Sequence, residues 1–261
     1  MAPNREQLVA HLLATRMAGR VATPRENNLE HYARMARRDP HYQFGLDLGM
    51  WTPDTVLDLM VRKVGVDPRL NYRRGVDTID PELTADALDR YAARFAKAVQ
   101  ARQRVLFATG HPRTLARLYQ RLAAALIEAG GTVAPVGDGL GYDAENRYGM
   151  VRRVEVESFL NVGILADGGV PIHTHSPRPI QLVLADLTRR GEPLPDLVVA
   201  DRGWCGRAAQ SGLDAIGFAD CNDPALFAGE DEGTVAVAVP LDDGIDEDQY
   251  DLLGEYILAQ G

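Results

Sequence analysis

A chain of 261 residues, 46% hydrophobic and 25% charged, can bury a sizeable core and falls in the range of one large domain or a core with a smaller lobe. A formal net charge of -9 without a long basic run argues against nucleic-acid binding, which needs clustered Lys and Arg. No apolar run reaches membrane-spanning length, the first residues lack a signal-peptide core, and Cys205 and Cys221 are the only cysteines, so a reduced, cytoplasmic protein is expected.

The first hundred or so residues read as helical. "REQLVAHLLATRMAG" places apolar residues at helical spacing and ends at Gly19. Pro24 opens a second helix through "RENNLEHYARMARR", and Pro53 a third with Val56, Leu57, Met60 and Val61 on one face. "TADALDRYAARFAKAVQARQ" is the clearest helix, striped by Leu88, Tyr91, Ala92, Phe95 and Val99.

The pattern then changes. "RVLFATG" reads as a strand, "RTLARLYQRLAAALIEAGG" as a helix and "GTVAPVG" as the next strand, which together make a parallel crossover unit. "DGLGYDAENRYGMVRRVEVESFLNVG" reads as an excursion holding one half-exposed strand, "VRRVEV". After "GVPIHTHS" come a helix "PRPIQLVLADLTRRG", a strand "DLVVAD", a helix around "CGRAAQSG", strands "AIGFAD" and "TVAVAVPL", and a short helix in the acidic tail. The expected fold is α/β, a three-layer, mostly parallel sheet flanked by helices over residues 103–261, with a helical N-terminal lobe, residues 1–102, packed on it.

One punctuation recurs: an apolar strand ends, polar residues follow, and proline marks a helix start. It appears in "LFATGHPRTL", "PIHTHSPRP" and "GFADCNDPAL". Proline suits the first helical turn, which has no intrahelical amide bond to lose. Ser176 and Asp223 are candidate N-caps, His111 a weaker one. "VVADRGW" adds a fourth strand end, from which Asp201 and Arg202 leave. In an open parallel sheet such ends form the binding crevice, and helix N-termini there attract anions.

Asp220, Asn222 and Asp223 make either a capped turn or an oxygen-rich site for a divalent cation, magnesium or manganese, which Asp201 can join from a neighbouring strand. His173 and His175 face the same side if extended, as metal ligands, proton carriers or a polar loop pair. His111, beside Gly110, is a candidate general acid–base, with a structural histidine as the alternative. Arg113, Ser176, Arg178 and Arg202 are candidate phosphate binders, arginine because its fork grips phosphate at two points. His11 reads as structural, and His31 and His41 carry little signal. Cys205 and Cys221 read better as small buried side chains than as nucleophiles.

Taken together, "GHPRTL", "PIHTHSPRP", "DLVVADRGWCGRAAQSG" and "GFADCNDPALFAGEDEGTVAVAVPLDDG" resemble a family of actinobacterial phosphatases, over most of the chain from Arg104 onward and more weakly before it. "ADCNDPAL" is also similar to the last metal motif of haloacid-dehalogenase-like phosphatases, which implies Asp220 and Asp223 as magnesium-binding carboxylates. The likeness stops at that loop, because no Asp-x-Asp-x-Thr nucleophile loop stands at the head of this sheet.

The expected function is metal-assisted hydrolysis of a small-molecule phosphomonoester. Asp201, Asp220 and Asp223 hold the cation, Arg113 or Arg202 stabilises phosphoryl charge, and His111, His173 or His175 moves the proton. The alternative is non-catalytic binding of a nucleotide or sugar phosphate in the same crevice. Grouped carboxylates speak against it, since they repel phosphate unless a cation intervenes. A nicotinamide enzyme lacks support, because no Gly-x-Gly-x-x-Gly follows a strand. The expected partner is a small phosphorylated metabolite, neither nucleic acid nor membrane; a homo-oligomer is left open.

Overall fold

The computed structural model describes residues 2–145 and 149–260. Of the stretch read as an excursion, residues 146–148 lie outside the described residues.

The chain begins with α1 (Arg5–Thr15), β1 (Gly19–Pro24), α2 (Arg25–Ala36), α3 (Pro53–Val64), β2 (Val76–Ile79) and α4 (Pro81–Gln100). Proline stands in the first turn of α3 and α4, where Thr52 and Asp80 accept hydrogen bonds from first-turn amides. The strands β1 and β2, which the helical reading of this region passes over, pair antiparallel from Gly19↔Ile79 to Pro24↔Val76. Arg25 locks their junction. Its guanidinium lies 3.0 Å from the Asp77 carboxylate with both side chains fully buried, and Asn28 donates to the same carboxylate at 2.8 Å. The buried charges are thus paired and hydrogen-bonded, which is the condition for tolerating them.

The rest of the chain is β3 (Arg104–Ala108), α5 (Ala116–Glu128), β4 (Thr132–Val133), β5 (Gly141–Glu145), β6 (Val151–Phe159), β7 (Val162–Asp167), β8 (Val170–Ile172), α6 (Arg178–Arg189), β9 (Leu197–Val199), α7 (Arg202–Gln210), β10 (Ala215–Ala219), α8 (Pro224–Asp231), β11 (Val237–Pro240) and α9 (Asp251–Ala259). Among the described residues the sheet runs β11-β10-β9-β3-β7-β6-β5, with β4 also on β3 and β8 also on β7. The pairings among β11, β10, β9, β3, β4 and β7 are parallel. The segment from β5 to β8 is an antiparallel meander. This is the expected α/β class, a mostly parallel sheet flanked by helices. The strand expected in "GTVAPVG" is cut to two residues, because Pro135 has no amide for the ladder. The excursion proves to be part of the sheet, and β7, unread in the sequence, lies directly beside β3.

The connections fix where a crevice opens. From β9 through α7, β10 and α8 to β11, each step moves outward in one direction, so right-handed crossovers put α7 and α8 on one face. From β3 through α5 to β4 the step runs the other way and puts α5 on the opposite face. The chain therefore diverges at the carboxyl ends of β3 and β9, the position where open α/β sheets hold ligands.

The N-terminal elements reach this end too. Asp242, just beyond β11, accepts from Ala22 N at 3.2 Å and donates its own amide to Met17 O at 2.8 Å. Thr84 of α4 donates to Pro240 O at 2.8 Å. One apolar cluster runs from Leu8 to Ile257 and includes residues from both ends of the chain. No helix among the described residues is long and apolar enough to cross a membrane.

Candidate active site

Asp201 joins the ends of β9 and β3, and Gly110 ties in the end of β8. The Asp201 carboxylate accepts from Thr109 Oγ1 at 2.5 Å and from Gly110 N at 2.8 Å. Gly110 O in turn accepts from Thr174 N at 3.0 Å. A side chain at Gly110 has no room, since its Cβ would lie 2.3 Å from Thr174 O. The ends of β3, β8 and β9 are therefore held at backbone contact. Asp201 is fully buried. Burial raises its pKa, and His111, Thr109, Arg202 and Gly110 pull the other way.

Arg202 stands at the centre. Its backbone is left-handed, φ 48°, at the first residue of α7, a conformation that costs a non-glycine residue energy and gathers at functional sites. Its side chain is 6% exposed. Nη1 lies 2.9 Å from Asp223 Oδ2, and Nη2 lies 3.3 Å from Asp243 Oδ2. Nε donates to His111 Nδ1 at 2.9 Å, Nη2 lies 3.1 Å from His111 Nε2, and Nη1 contacts His175 Nε2. Burial works against the charge, but Asp223 and Asp243 outweigh it and raise the guanidinium's pKa. One arginine thus faces two carboxylates and touches two imidazoles.

His111 Nδ1 also lies 3.1 Å from Asp243 Oδ2. The ring accepts from Arg202 in one protonation state and donates to Asp243 in the other, the behaviour required of a proton carrier. Burial opposes ionisation of Asp243, yet facing His111 and Arg202 hold it down at about 2. An ionised carboxylate therefore backs the imidazole.

The remaining acids are differently placed. Asp220 accepts from Thr23 Oγ1 and from Cys221 N, each at 2.6 Å. Burial, with Asp243 and Asp242 close by, pushes it well above the usual carboxylate range. Burial likewise pushes Asp223 up to about 6 against the pull of Arg202. The Arg202–Asp223 ion pair lacks hydrogen-bond alignment, so both Asp223 oxygens are buried without a hydrogen-bond partner, as is Asn222 Oδ1. Such acceptor-only oxygens suit a hard cation in chemical type. In arrangement, however, no group of three or more His, Cys, Asp or Glu among the described residues is set to hold a metal ion. The carboxylates of Asp223 and Asp243 converge on Arg202 instead.

His173 meets His111 edge-on with ring centroids 4.3 Å apart and lies 5.0 Å from His175. His41 stacks on His175 at 4.4 Å with an 18° interplanar angle. Burial and the nearby Arg202 lower His173 to about 3 and depress His175 further still. Both rings are therefore expected to be neutral at pH 6, where a free histidine is mostly protonated. Imidazole 15N shifts that stay at the neutral position from pH 7 to pH 5 are the expected result; titration near 6.5 would show that burial and Arg202 do not hold the rings neutral.

Other candidates lie further out. Arg113 is exposed. Arg178 covers the Tyr142 ring at 4.7 Å. Ser176 Oγ accepts from Arg178 N at 3.2 Å, which caps the start of α6 in effect, although Pro177 holds the cap position. The cap role expected of Asp223 is not formed: it occupies the position before α8, but its side chain turns to Arg202. His111 does not cap α5, which starts at Ala116 with Leu115 before it. Cys205 and Cys221 are free and buried, and burial raises both thiols, against a nucleophilic role.

The sequence reading missed Asp242 and Asp243, which follow β11 under the same strand-end rule that found the others. It also set aside His31 and His41. His31 Nδ1 lies 2.8 Å from Asn222 O, and His41 sits in a short 3-10 turn, Pro40–Tyr42.

This site stands at the divergent strand ends of a mostly parallel α/β sheet, the place where proteins of that class hold their ligands. The chain belongs to the phosphatase family, whose family model matches residues 3–261. It is 49% identical over 261 residues to Phosphatase SCO2771 of Streptomyces coelicolor, a match that covers 99% of this chain and 96% of that protein. The likeness to actinobacterial phosphatases is thereby borne out. The narrower likeness of the Asp220 loop to haloacid-dehalogenase-like phosphatases has no counterpart in these matches.

Proposed function

We propose that this chain is a phosphatase that hydrolyses a small-molecule phosphomonoester at the carboxyl ends of β3, β9, β10 and β11. The observation that carries the reading is the convergence of a buried arginine, an Asp–His pair and two further histidines at one rim. Arg202 provides fixed positive charge beside the phosphoryl group from a buried position, where water screens it little. His111, oriented by Asp243, moves the proton of the attacking water or of the departing oxygen. His173, the outermost ring, meets the ester oxygens as a neutral hydrogen-bonding group. Asp201 is a positioning residue that keeps the strand ends together.

A divalent cation, magnesium or manganese, is part of this proposal. Asp223, Asn222 and Asp220 are its candidate holders, supported by the partnerless oxygens of Asp223 and Asn222. When bound it would supply charge to the phosphoryl oxygens. A second reading has Arg202 as the sole resident cation, favoured by the lack of a three-ligand arrangement among the described residues. Chelation separates the two. Phosphate release that stops after exhaustive chelation and returns with magnesium or manganese supports the first. Full activity in metal-free buffer rejects it and leaves the second.

A further inference from the structure

A cleft of about 910 Å³ opens beside the histidines. His41, His173 and His175 form one wall, and the antiparallel meander forms its floor. The floor is apolar for a structural reason. Tyr142 pairs with Val154 across β5 and β6, and Leu165 pairs with Ile172 across β7 and β8. The pleat directs these residues to a shared face, where Tyr142, Val154 and Leu165 make their own small cluster apart from the main core. Leu182 of α6 packs against that cluster, and the cleft lies over the same face.

Two arginines beside the cleft are already engaged. Arg152 lies 2.9 Å from Asp167, and Arg178 covers the Tyr142 ring. Among the described residues of the lining, a second phosphate or a carboxylate on the substrate would meet apolar wall, acidic Glu145 and the Arg152–Asp167 pair. A bulky apolar group, by contrast, fits both the volume and the lining of a small-molecule site.

We infer that this cleft takes the alcohol part of the substrate, and that the alcohol is a large apolar or aromatic one rather than a sugar or nucleotide. The inference rests on the proposed phosphatase reading for its reaction, but not for its binding. Hydrolysis at the histidines places phosphate at the strand ends and leaves the alcohol over Tyr142 and Leu165.

The test compares ethyl phosphate with 2-(1-naphthyl)ethyl phosphate, two primary esters that differ in the apolar group. The naphthyl ester is expected to show at least about tenfold higher kcat/KM, the low end of what a single methylene gives in an apolar pocket. Ala144→Trp, which fills the cleft from the edge strand, and Ile172→Gln, which makes its floor polar, should each collapse that ratio. Equal kcat/KM for the two esters, or a ratio unchanged in the folded variants, overturns the inference. Binding of 2-(1-naphthyl)ethanol, measured by calorimetry, gives an arm independent of catalysis. If neither ester is hydrolysed, the phosphatase reading fails by itself. Saturable alcohol binding weakened by both variants then still supports the cleft, and absence of binding overturns it.

Discussion

Arg202→Met is expected to lower turnover by about 100- to 1000-fold, the loss seen when one preorganised charge donor is removed from an active site. It should also cost about 3–5 kcal/mol of stability, because Asp223 and Asp243 would remain buried without their cation. Arg202→Lys distinguishes charge from geometry. Lysine keeps the charge and should recover part of the stability, but it cannot reach two carboxylates and two imidazoles from one planar fork. Activity should stay low. Thermal melts and phosphate release on the same preparations read both effects. A lysine variant with full activity would show that the fork is not needed.

Asp220→Asn is expected to separate activity from stability. Burial and the neighbouring acids raise the folded pKa of Asp220 well above its ordinary value. Above about pH 4 the unfolded chain ionises this group while the folded chain keeps its proton, so stability falls as pH rises toward the folded value. Asparagine cannot ionise, and Thr23, whose hydroxyl can turn from donor to acceptor, can meet the new amide. The variant should therefore melt higher than the parent at pH 7, by about 2–4 °C for each kcal/mol recovered, with a gain that shrinks toward pH 4. Turnover should fall, through loss of a carboxylate proposed to hold the cation. A variant that melts lower at pH 7 and keeps its activity would make Asp220 a structural turn residue.

Much of the site was legible because it follows a rule of position. Apolar strands ending in polar residues before a helix marked His111, Asp201, Arg202, Asp220 and Asp223, and the sheet topology brings their strand ends together. Asp243 obeyed the same rule and was overlooked, although "TVAVAVPLDDG" ends in two acids. His41 could not have been found this way. It arrives from the N-terminal region through a proline turn, and its place is set by stacking on His175 rather than by any spacing in the chain. Likewise, the residue type of Asp201 pointed to chemistry, but its hydrogen bonds to Thr109 and Gly110 depend on a strand pairing invisible in sequence. The meander was harder for another reason. Its strands pair locally and alternate on one face, while β7 is buried on both sides and carries a continuous apolar run with no alternation to read.

The central claim is that the divergent strand ends form one centre for phosphoryl transfer. A crystal structure of the protein grown with orthovanadate, a mimic of the phosphoryl transition state, tests it most directly. The expected result is vanadate at the rim formed by Arg202, His111 and His173, with the apolar cleft opening beside it. Vanadate bound away from that rim, with the Arg202 cluster untouched, would contradict the claim.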